Sequence, residues 1–535
     1  MRVLLINPPY QTITSTVGVG PQIPLGLLMV GGSLLDSGHQ VQFLDAESRR
    51  LSIARVVQEV LAARPEVVMT GHAGSTPAHP ITMKTLQAIK LAAPEVKTVY
   101  GGVYPTYQAD KILRTQPAVD IIVRGEGEET SRRLLAALAS PPCDLTALPG
   151  LAFREEQGGV RMTAPAAPIR LLDRYRIGWE LVDDWDRYRC FGLGRAAIVQ
   201  FSRGCPHRCT YCGQFDFWKR WRHRDPVVLA DEIEWLHRQH DIRFITLADE
   251  NPAAARDVWQ TFLEELAGRR LPVHFFASIR ATDIVRDADL LELYRRAGIL
   301  YVLMGIETTK AAVIQAINKR SSIAADYRAC QLLKLHGIFS IIGHVVGFED
   351  DTWTELRAAG RTLARYNGDH LNAMYATPHP WTLFGREVAA RRICEHDLSR
   401  WDYRHQVLAQ NGLRRWQLFL AVKWLEFRFH LRLPRLWAIL RERNAFRRHQ
   451  LAWCLLHTGQ VFLAELADLA RSSFRHRPPV SVNEFYSTDG DEVTRPASCR
   501  RLASRRPCLP PFLPALITAF WGLLARTRVG TRSRR

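Results

Sequence analysis

Short apolar runs rich in β-branched residues recur through the first 140 positions, at Val3–Ile6, Val41–Leu44, Val67–Met69, Val96–Tyr100 and Asp120–Val123. Stretches with helical spacing separate them, at 25–36, 52–64, 80–93, 107–115 and 129–139. Strands alternating with helices predict a doubly wound parallel α/β sheet. Such a sheet binds ligands beyond the carboxyl ends of its strands. Asn7, the Gly71-His72-Ala73-Gly74 segment, Gly101-Gly102 and Gly125-Glu126-Gly127 all fall at those ends. Glycine there lets the backbone approach a ligand closely. Asn7, Gly101, Gly102, Gly125 and Glu126 are therefore candidate cofactor-binding residues of a domain spanning 1–140.

From 141 to 194, Pro141-Pro142, Gly158-Gly159 and the prolines at 165 and 168 interrupt any long element, which reads as a connector. The alternation returns over 195–395, with strands expected at Ala196–Phe201, Phe244–Leu247, His274–Ala277, Tyr301–Met304 and Ser340–Val346. Helices lie between them, as at 227–240 and 287–297. The expectation is a partial (β/α) barrel. Residues 396–475 are basic, aromatic-rich and helical in period, and form a third region. Residues 476–535 are rich in Pro, Ser and Arg and read as a disordered tail.

The chain of 535 residues carries a formal net charge of +19, which suits anionic partners. The excess is uneven, because Cys499–Arg535 holds nine arginines and no acidic residue. That tail also contains the apolar stretch Leu509–Ala525, a combination suited to peripheral contact with an anionic membrane. No specific nucleic-acid partner is expected. Ten cysteines are too sparse for a disulfide scaffold, and three lie within eight positions. This reads as metal binding in a reducing, cytoplasmic setting.

Those three carry the chemistry. Arg203-Gly204-Cys205-Pro206-His207-Arg208-Cys209-Thr210-Tyr211-Cys212 has C-x3-C-x2-C spacing directly after an expected strand. Three thiolates in one tight loop can hold three irons of a [4Fe-4S] cubane and leave the fourth iron open. A structural zinc site with His207 or His223 as fourth ligand is the competing reading. It accounts for the triplet but not for the segments downstream.

The spacing, with Tyr211 before the last cysteine, resembles the radical S-adenosylmethionine (SAM) superfamily. The resemblance covers about 195–385. It implies that the open iron is chelated by SAM, whose reductive cleavage yields a 5′-deoxyadenosyl radical. It also implies roles for individual residues. Tyr211 would pack near the adenine. Asp249 and Glu250 would bind the SAM amino group, and Ser278 and Arg280, expected on the next strand, the carboxylate. Gly305 and Glu307 would lie near the ribose. Gly343 and Gly347 match the late glycine-rich strand end. The sequence departs from the pattern at Trp381, where glycine is usual.

A flavodoxin-like, Rossmann-type domain ahead of such a barrel resembles the cobalamin-binding subclass. Asn-Pro-Pro-Tyr, Tyr-Gly-Gly and Arg-Gly-Glu-Gly-Glu after the first, fourth and fifth strands carry that likeness. The D-x-H-x-x-G cobalt-ligating motif is absent, so no histidine from it would ligate cobalt; His72 and His79 are candidates for contact with the ring. The plan is similar to the anaerobic magnesium-protoporphyrin monomethyl ester cyclases and their relatives. It implies an oxidative cyclase modifying an unactivated carbon of a tetrapyrrole. The alternatives are a cobalamin-dependent C-methyltransferase or hopanoid-modifying enzyme with a lipid-like substrate, and a non-catalytic cofactor-binding protein. A reductant such as ferredoxin or flavodoxin is implied as partner.

Overall fold

The computed structural model describes residues 1–17, 19–140, 143–472 and 479–487. A seven-stranded sheet contains β1 (Arg2–Asn7), β2 (Gln40–Asp45), β3 (Val67–Thr70), β4 (Lys97–Gly101), β5 (Ile121–Val123), β6 (Leu151–Arg154) and β7 (Val160–Met162). Its order is β2-β1-β3-β4-β5-β6-β7. The first five strands pair in parallel in the doubly wound order 2-1-3-4-5. The four residues of β3 and the three of β5 are buried throughout, as a sheet covered by helices on both faces requires.

The stretch expected as a mere connector adds β6 and β7 antiparallel to the sheet edge. Gly158, at φ 92°, turns the hairpin between them, so the same glycines that read as a break close a turn. Further along it, Trp179, Trp185 and Tyr188 are buried. The Tyr188 hydroxyl donates to Asp45 Oδ2 over 2.6 Å, tying the connector to the first sheet.

The second sheet contains β8 (Arg195–Val199), and a small hairpin of β9 (Ser202–Arg203) and β10 (Arg222–His223) follows it. β11 (Ile242–Leu247), β12 (His274–Ser278), β13 (Ile299–Glu307), β14 (Phe339–Val346) and β15 (His370–Tyr375) complete the sheet. Its order, β15-β14-β13-β12-β11-β8, is sequential and parallel throughout, the arrangement of a partial barrel. β15 was not foreseen. Its residues alternate half-buried and buried, with His370 and Asn372 polar, so no apolar run marks it. Local signals fix the helices between strands. Asp225 caps Pro226–His240, and Thr352 with Glu355 forms a capping box at Trp353–Tyr366.

In the region expected to be helical throughout, residues 401–414 contain no helix, and helices follow at Arg415–His430, Leu433–Arg441 and Ala445–Ser472. Phe419 is buried and Trp424 packs against the main core, whereas Trp416 and Phe427 are exposed. Part of the expected tail is ordered: β16 (Arg392–Ile393) pairs with β17 (Val480–Ser481). Phe485 just beyond stacks on Trp401. The expectations for Cys499–Arg535 and Leu509–Ala525 lie outside the described residues. Among the described residues no helix is long and apolar enough to cross a membrane.

Candidate active site at the junction of the two sheets

The carboxyl ends of the two sheets face one another across a cavity of about 410 Å³. The first sheet contributes Gly71, Gly101, Gly102 and Gly125, and the second contributes Gln200, Thr246, Ala248 and Glu250. Gly102 and Gly125 adopt φ of 114° and 79°, and a Cβ built on either would project into open space. A ligand can therefore lie directly on this backbone, the fit a bulky corrinoid needs. His72 lines the cavity, but its Nε2 is 2.9 Å from Glu47 Oε2 and its Nδ1 accepts from Gly74 N–H at 2.7 Å. Both ring nitrogens are engaged, so His72 offers no free imidazole to cobalt. His79 is buried against Tyr100 and Tyr104. Asn7 donates from Nδ2 to Asp45 Oδ1 at 2.7 Å and to Glu47, and so braces the strand ends from beneath.

Glu126, expected at a cofactor contact, lines the cavity and also joins the two sheets. It is ion-paired with Arg203 at 2.7 Å and with Arg222 at 2.7 Å. Arg203 also pairs with Glu128, donates to Gln200 Oε1 and lies 5.2 Å over the Trp218 ring. Arg203 is 3% exposed and immediately precedes Gly204 and Cys205. The join between the two sheets is thus a buried arginine held by two carboxylates, which leads straight into the cysteine loop.

That loop is docked on both flanks. Thr210 N–H donates to Ile317 O at 3.0 Å, and Asn318 Nδ2 donates to Arg208 O at 2.9 Å. Asp249 accepts from Phe201 N–H and from the backbone and hydroxyl of Ser202. Its carboxylate is spent on the approach to the loop, and burial raises its pKa to about 7. Glu250 instead faces the cavity, accepting from Trp218 Nε1 at 2.7 Å and from Gly204 N–H at 3.3 Å. Its pKa is raised, by burial first.

Across the loop, Tyr211 donates to Glu307 Oε1 at 2.8 Å and Lys319 Nζ reaches the same oxygen at 2.9 Å. Glu307 holds φ 64°, and a Cβ at Gly305 would collide with its carboxylate, so a larger residue there would displace Glu307. Arg280 lies beyond β12 rather than on it. It donates to the carbonyls of Lys319 and Arg320, and its Nη1 is 3.9 Å from Cys209 Sγ. Its Nε is buried without a partner, an unspent donor beside the cysteine loop and a fit for a ligand carboxylate. Ser278 ends β12 in register with Leu303. Trp381, the residue that departs from the family pattern, stacks on Tyr107 at 5.0 Å and covers Gly213 beside Cys212. Sequence reasoning missed Lys319, whose signal was its place between two left-handed residues, Asn318 and Arg320.

Among the described residues no group of three or more His, Cys, Asp or Glu side chains converges on a single-ion site. A cubane distributes three thiolates over three different irons, so this donor set fits a cluster rather than one zinc ion.

A second cavity, of about 390 Å³, occupies the lumen of the partial barrel and is lined in part by the helix Ala445–Ser472. It shares Thr246 with the first cavity. Phe191, Phe276, Trp453 and Phe462 give it an aromatic wall.

A B12 binding domain model matches residues 12–135 and a radical SAM superfamily model matches 199–363. The chain is 41% identical over 501 residues to the anaerobic magnesium-protoporphyrin IX monomethyl ester cyclase of Synechocystis sp., covering 94% of this chain and 100% of that one. It is 24% identical to the hopanoid C-3 methylase of Methylococcus capsulatus, covering 72% of each chain. Among solved structures, the radical SAM methyltransferase TsrM from Kitasatospora setae superposes with a TM-score of 0.64 at 17% identity. That superposition covers 89% of this chain and 100% of the other, and shows the fold. With a glycine-lined cavity on one sheet, a three-cysteine loop on the other and this identity across nearly the whole chain, the protein belongs to the anaerobic magnesium-protoporphyrin IX monomethyl ester cyclase family of cobalamin-binding radical SAM enzymes.

Proposed function

We propose that this enzyme carries out oxidative cyclisation of a magnesium-tetrapyrrole ester, as the name of its Synechocystis relative describes. The observation that carries the reading is the aromatic wall of the lumen cavity, which suits a flat macrocycle and which shares the lining residue Thr246 with the inter-sheet cavity. Cys205, Cys209 and Cys212 hold the [4Fe-4S] cluster. Glu250 takes the SAM amino group and Arg280 its carboxylate, with Tyr211, Glu307 and Lys319 forming the adjoining polar wall. When bound, cluster and SAM together supply a 5′-deoxyadenosyl radical that abstracts hydrogen from an unactivated carbon. The residues around them orient SAM and keep its carboxylate against the unspent Nε–H of Arg280. Burial excludes water from the radical's path. A ferredoxin or flavodoxin as electron donor and peripheral membrane contact through Cys499–Arg535 belong to the same proposal.

The test is anaerobic turnover of magnesium-protoporphyrin IX monomethyl ester in labelled water, with SAM carrying a labelled methyl group. Cyclisation gives 5′-deoxyadenosine and a product containing oxygen from water. A product carrying the SAM methyl group, with no oxygen from water, makes the enzyme a methyltransferase instead.

A further inference from the structure

The lumen cavity contains a histidine whose state is fixed by its surroundings. His457, on the helix Ala445–Ser472, places Nδ1 2.9 Å from the carbonyl of Trp453. A carbonyl oxygen only accepts, so Nδ1 carries the hydrogen and Nε2 keeps a bare lone pair. The imidazole also stacks on the Trp453 indole, with centroids 3.7 Å apart and planes at 21°, which freezes its orientation. Burial lowers its pKa, so the ring is neutral. Nε2 has no hydrogen-bond partner among the described residues, yet it is not sealed, and His457 lines the cavity. A backbone carbonyl fixing one nitrogen while the other points at open space is how proteins prepare an imidazole to bind a metal.

Most other donors lining the cavity are spent or out of place; Asn372 Oδ1, also in its wall, has no partner among the described residues but is a neutral amide oxygen. Glu426 is held by Lys423 at 2.6 Å, and the same Lys423 pairs with Glu465. Asp402 accepts from His405 at 2.8 Å and from Arg404 N–H. The thiols of Cys190 and Cys454 are pushed up to about 12 by burial and stay protonated. His370 also exposes a bare Nε2, since its Nδ1 faces the His430 nitrogen that already accepts from Leu371 N–H. It stands, however, at the first residue of β15, the amino end of the sheet and the end remote from the cysteine loop. Arg447, near the start of the long helix, pairs with neighbouring Asp369 at 3.1 Å, and Asp468, near its end, pairs with Arg400 and His405. That helix therefore runs from the base of the barrel toward the loop after β15. Ten residues beyond Arg447, His457 lies about 15 Å further up the helix axis.

Resting on the tetrapyrrole reading above, we propose that His457 Nε2 is the axial ligand to the central metal of a metallated tetrapyrrole substrate. The four macrocycle nitrogens satisfy the equatorial positions, and His457 reads the fifth. The enzyme would thereby distinguish a metallated from a metal-free macrocycle and set the height of its reacting edge.

The experiment uses the full-length, anaerobically reconstituted protein titrated with magnesium-, zinc- and metal-free protoporphyrin IX monomethyl ester, following affinity and the porphyrin absorption bands. The wild-type protein should bind the two metallated forms at least about tenfold more tightly than the metal-free form, with the band shift of a nitrogen-ligated five-coordinate metal. His457→Ala should bind all three with the metal-free affinity, and free imidazole should restore the shift. Iron content and SAM binding report whether that variant is folded. His370→Ala should retain both preference and shift. Retention of the shift in His457→Ala, or its loss in His370→Ala, overturns the assignment. A wild-type protein that binds all three equally also overturns it while leaving tetrapyrrole binding intact. A wild-type protein that cleaves SAM but binds none of the three overturns the tetrapyrrole reading itself.

Discussion

The carboxyl edges of the two sheets face the same cavity with opposite chemistry. The first presents bare backbone: Gly71, Gly101, Gly102 and Gly125, two of them in the left-handed region with open space where a side chain would be. Its polar neighbours Glu47, Asp45 and Asn7 bond to one another and hold the strand ends. The second presents Glu250 to the cavity, and gathers Arg280, Tyr211, Glu307 and Lys319 around the cysteine loop. A large corrinoid is accommodated by removing side chains, whereas a small zwitterion beside a cluster is held by placing them. Substitutions at the two edges should therefore fail differently, one by filling space and the other by stranding charge.

The largest effect is expected at the second edge. Cys209→Ala should abolish the iron–sulfur absorption and SAM cleavage outright, with cobalamin retention by the same protein unchanged. Loss of cobalamin as well would show that the two edges assemble as one.

Arg203 sharpens the comparison because it belongs to both. Arg203→Met strands Glu128 in a buried site and leaves Glu126 with Arg222 alone, a change that typically costs about 3–5 kcal/mol. Denaturant unfolding should show that loss.

Charge remote from both edges supplies a control. His405 lies between Asp402 and Asp468 at 2.8 and 3.0 Å. Burial alone would lower its pKa, but the hydrogen bonds its ring donates to the two carboxylates raise it to about 9. The folded value exceeds the unfolded one, so this stabilisation is complete below about pH 6.5 and is lost as pH rises through about 9. Its size is on the order of 3 kcal/mol. Unfolding free energy measured between those limits should fall in the wild type and stay flatter in His405→Gln.

Glu307→Gln keeps shape and removes charge from the contact with Lys319 and Tyr211. SAM affinity should drop by about tenfold, equivalent to ~1.4 kcal/mol, with iron content unchanged. Gly102→Ala is the mildest change, costing about 1–2 kcal/mol in backbone strain. It should lower cobalamin occupancy in equilibrium dialysis while SAM binding persists. If Gly102→Ala impaired SAM binding as strongly as Glu307→Gln, the division of labour between the edges would be wrong.

Much of this was legible before any coordinates. The five parallel strands of the first sheet announced themselves as short apolar runs separated by helical stretches, and five barrel strands did the same. β15 escaped because His370 and Asn372 alternate with its buried residues and break the apolar run. The hairpin of β6 and β7 escaped because its glycines read as a break when they form a turn. Val480–Ser487 was assigned to a tail, although Val482 and Phe485 find their burial against residues some ninety positions earlier.

The sequence by itself singled out the candidate cluster ligands, because C-x3-C-x2-C is a local spacing and three thiols in one loop need no distant partner to be recognised. It also determined the alternation of strand and helix, since both are periodic within a few residues. Only the tertiary structure decided what each charged group does. Glu126 became a join when Arg203, 77 positions away, was folded onto it. Asp249 became a brace for Phe201 and Ser202, and Lys319 entered the site through Tyr211 and Glu307. The tautomer of His457 is set by a carbonyl one helical turn away, but its exposure to the lumen depends on where the long helix lies against the barrel. Charge acts over a few ångströms of space, and neighbours in space are fixed by packing rather than by order along the chain.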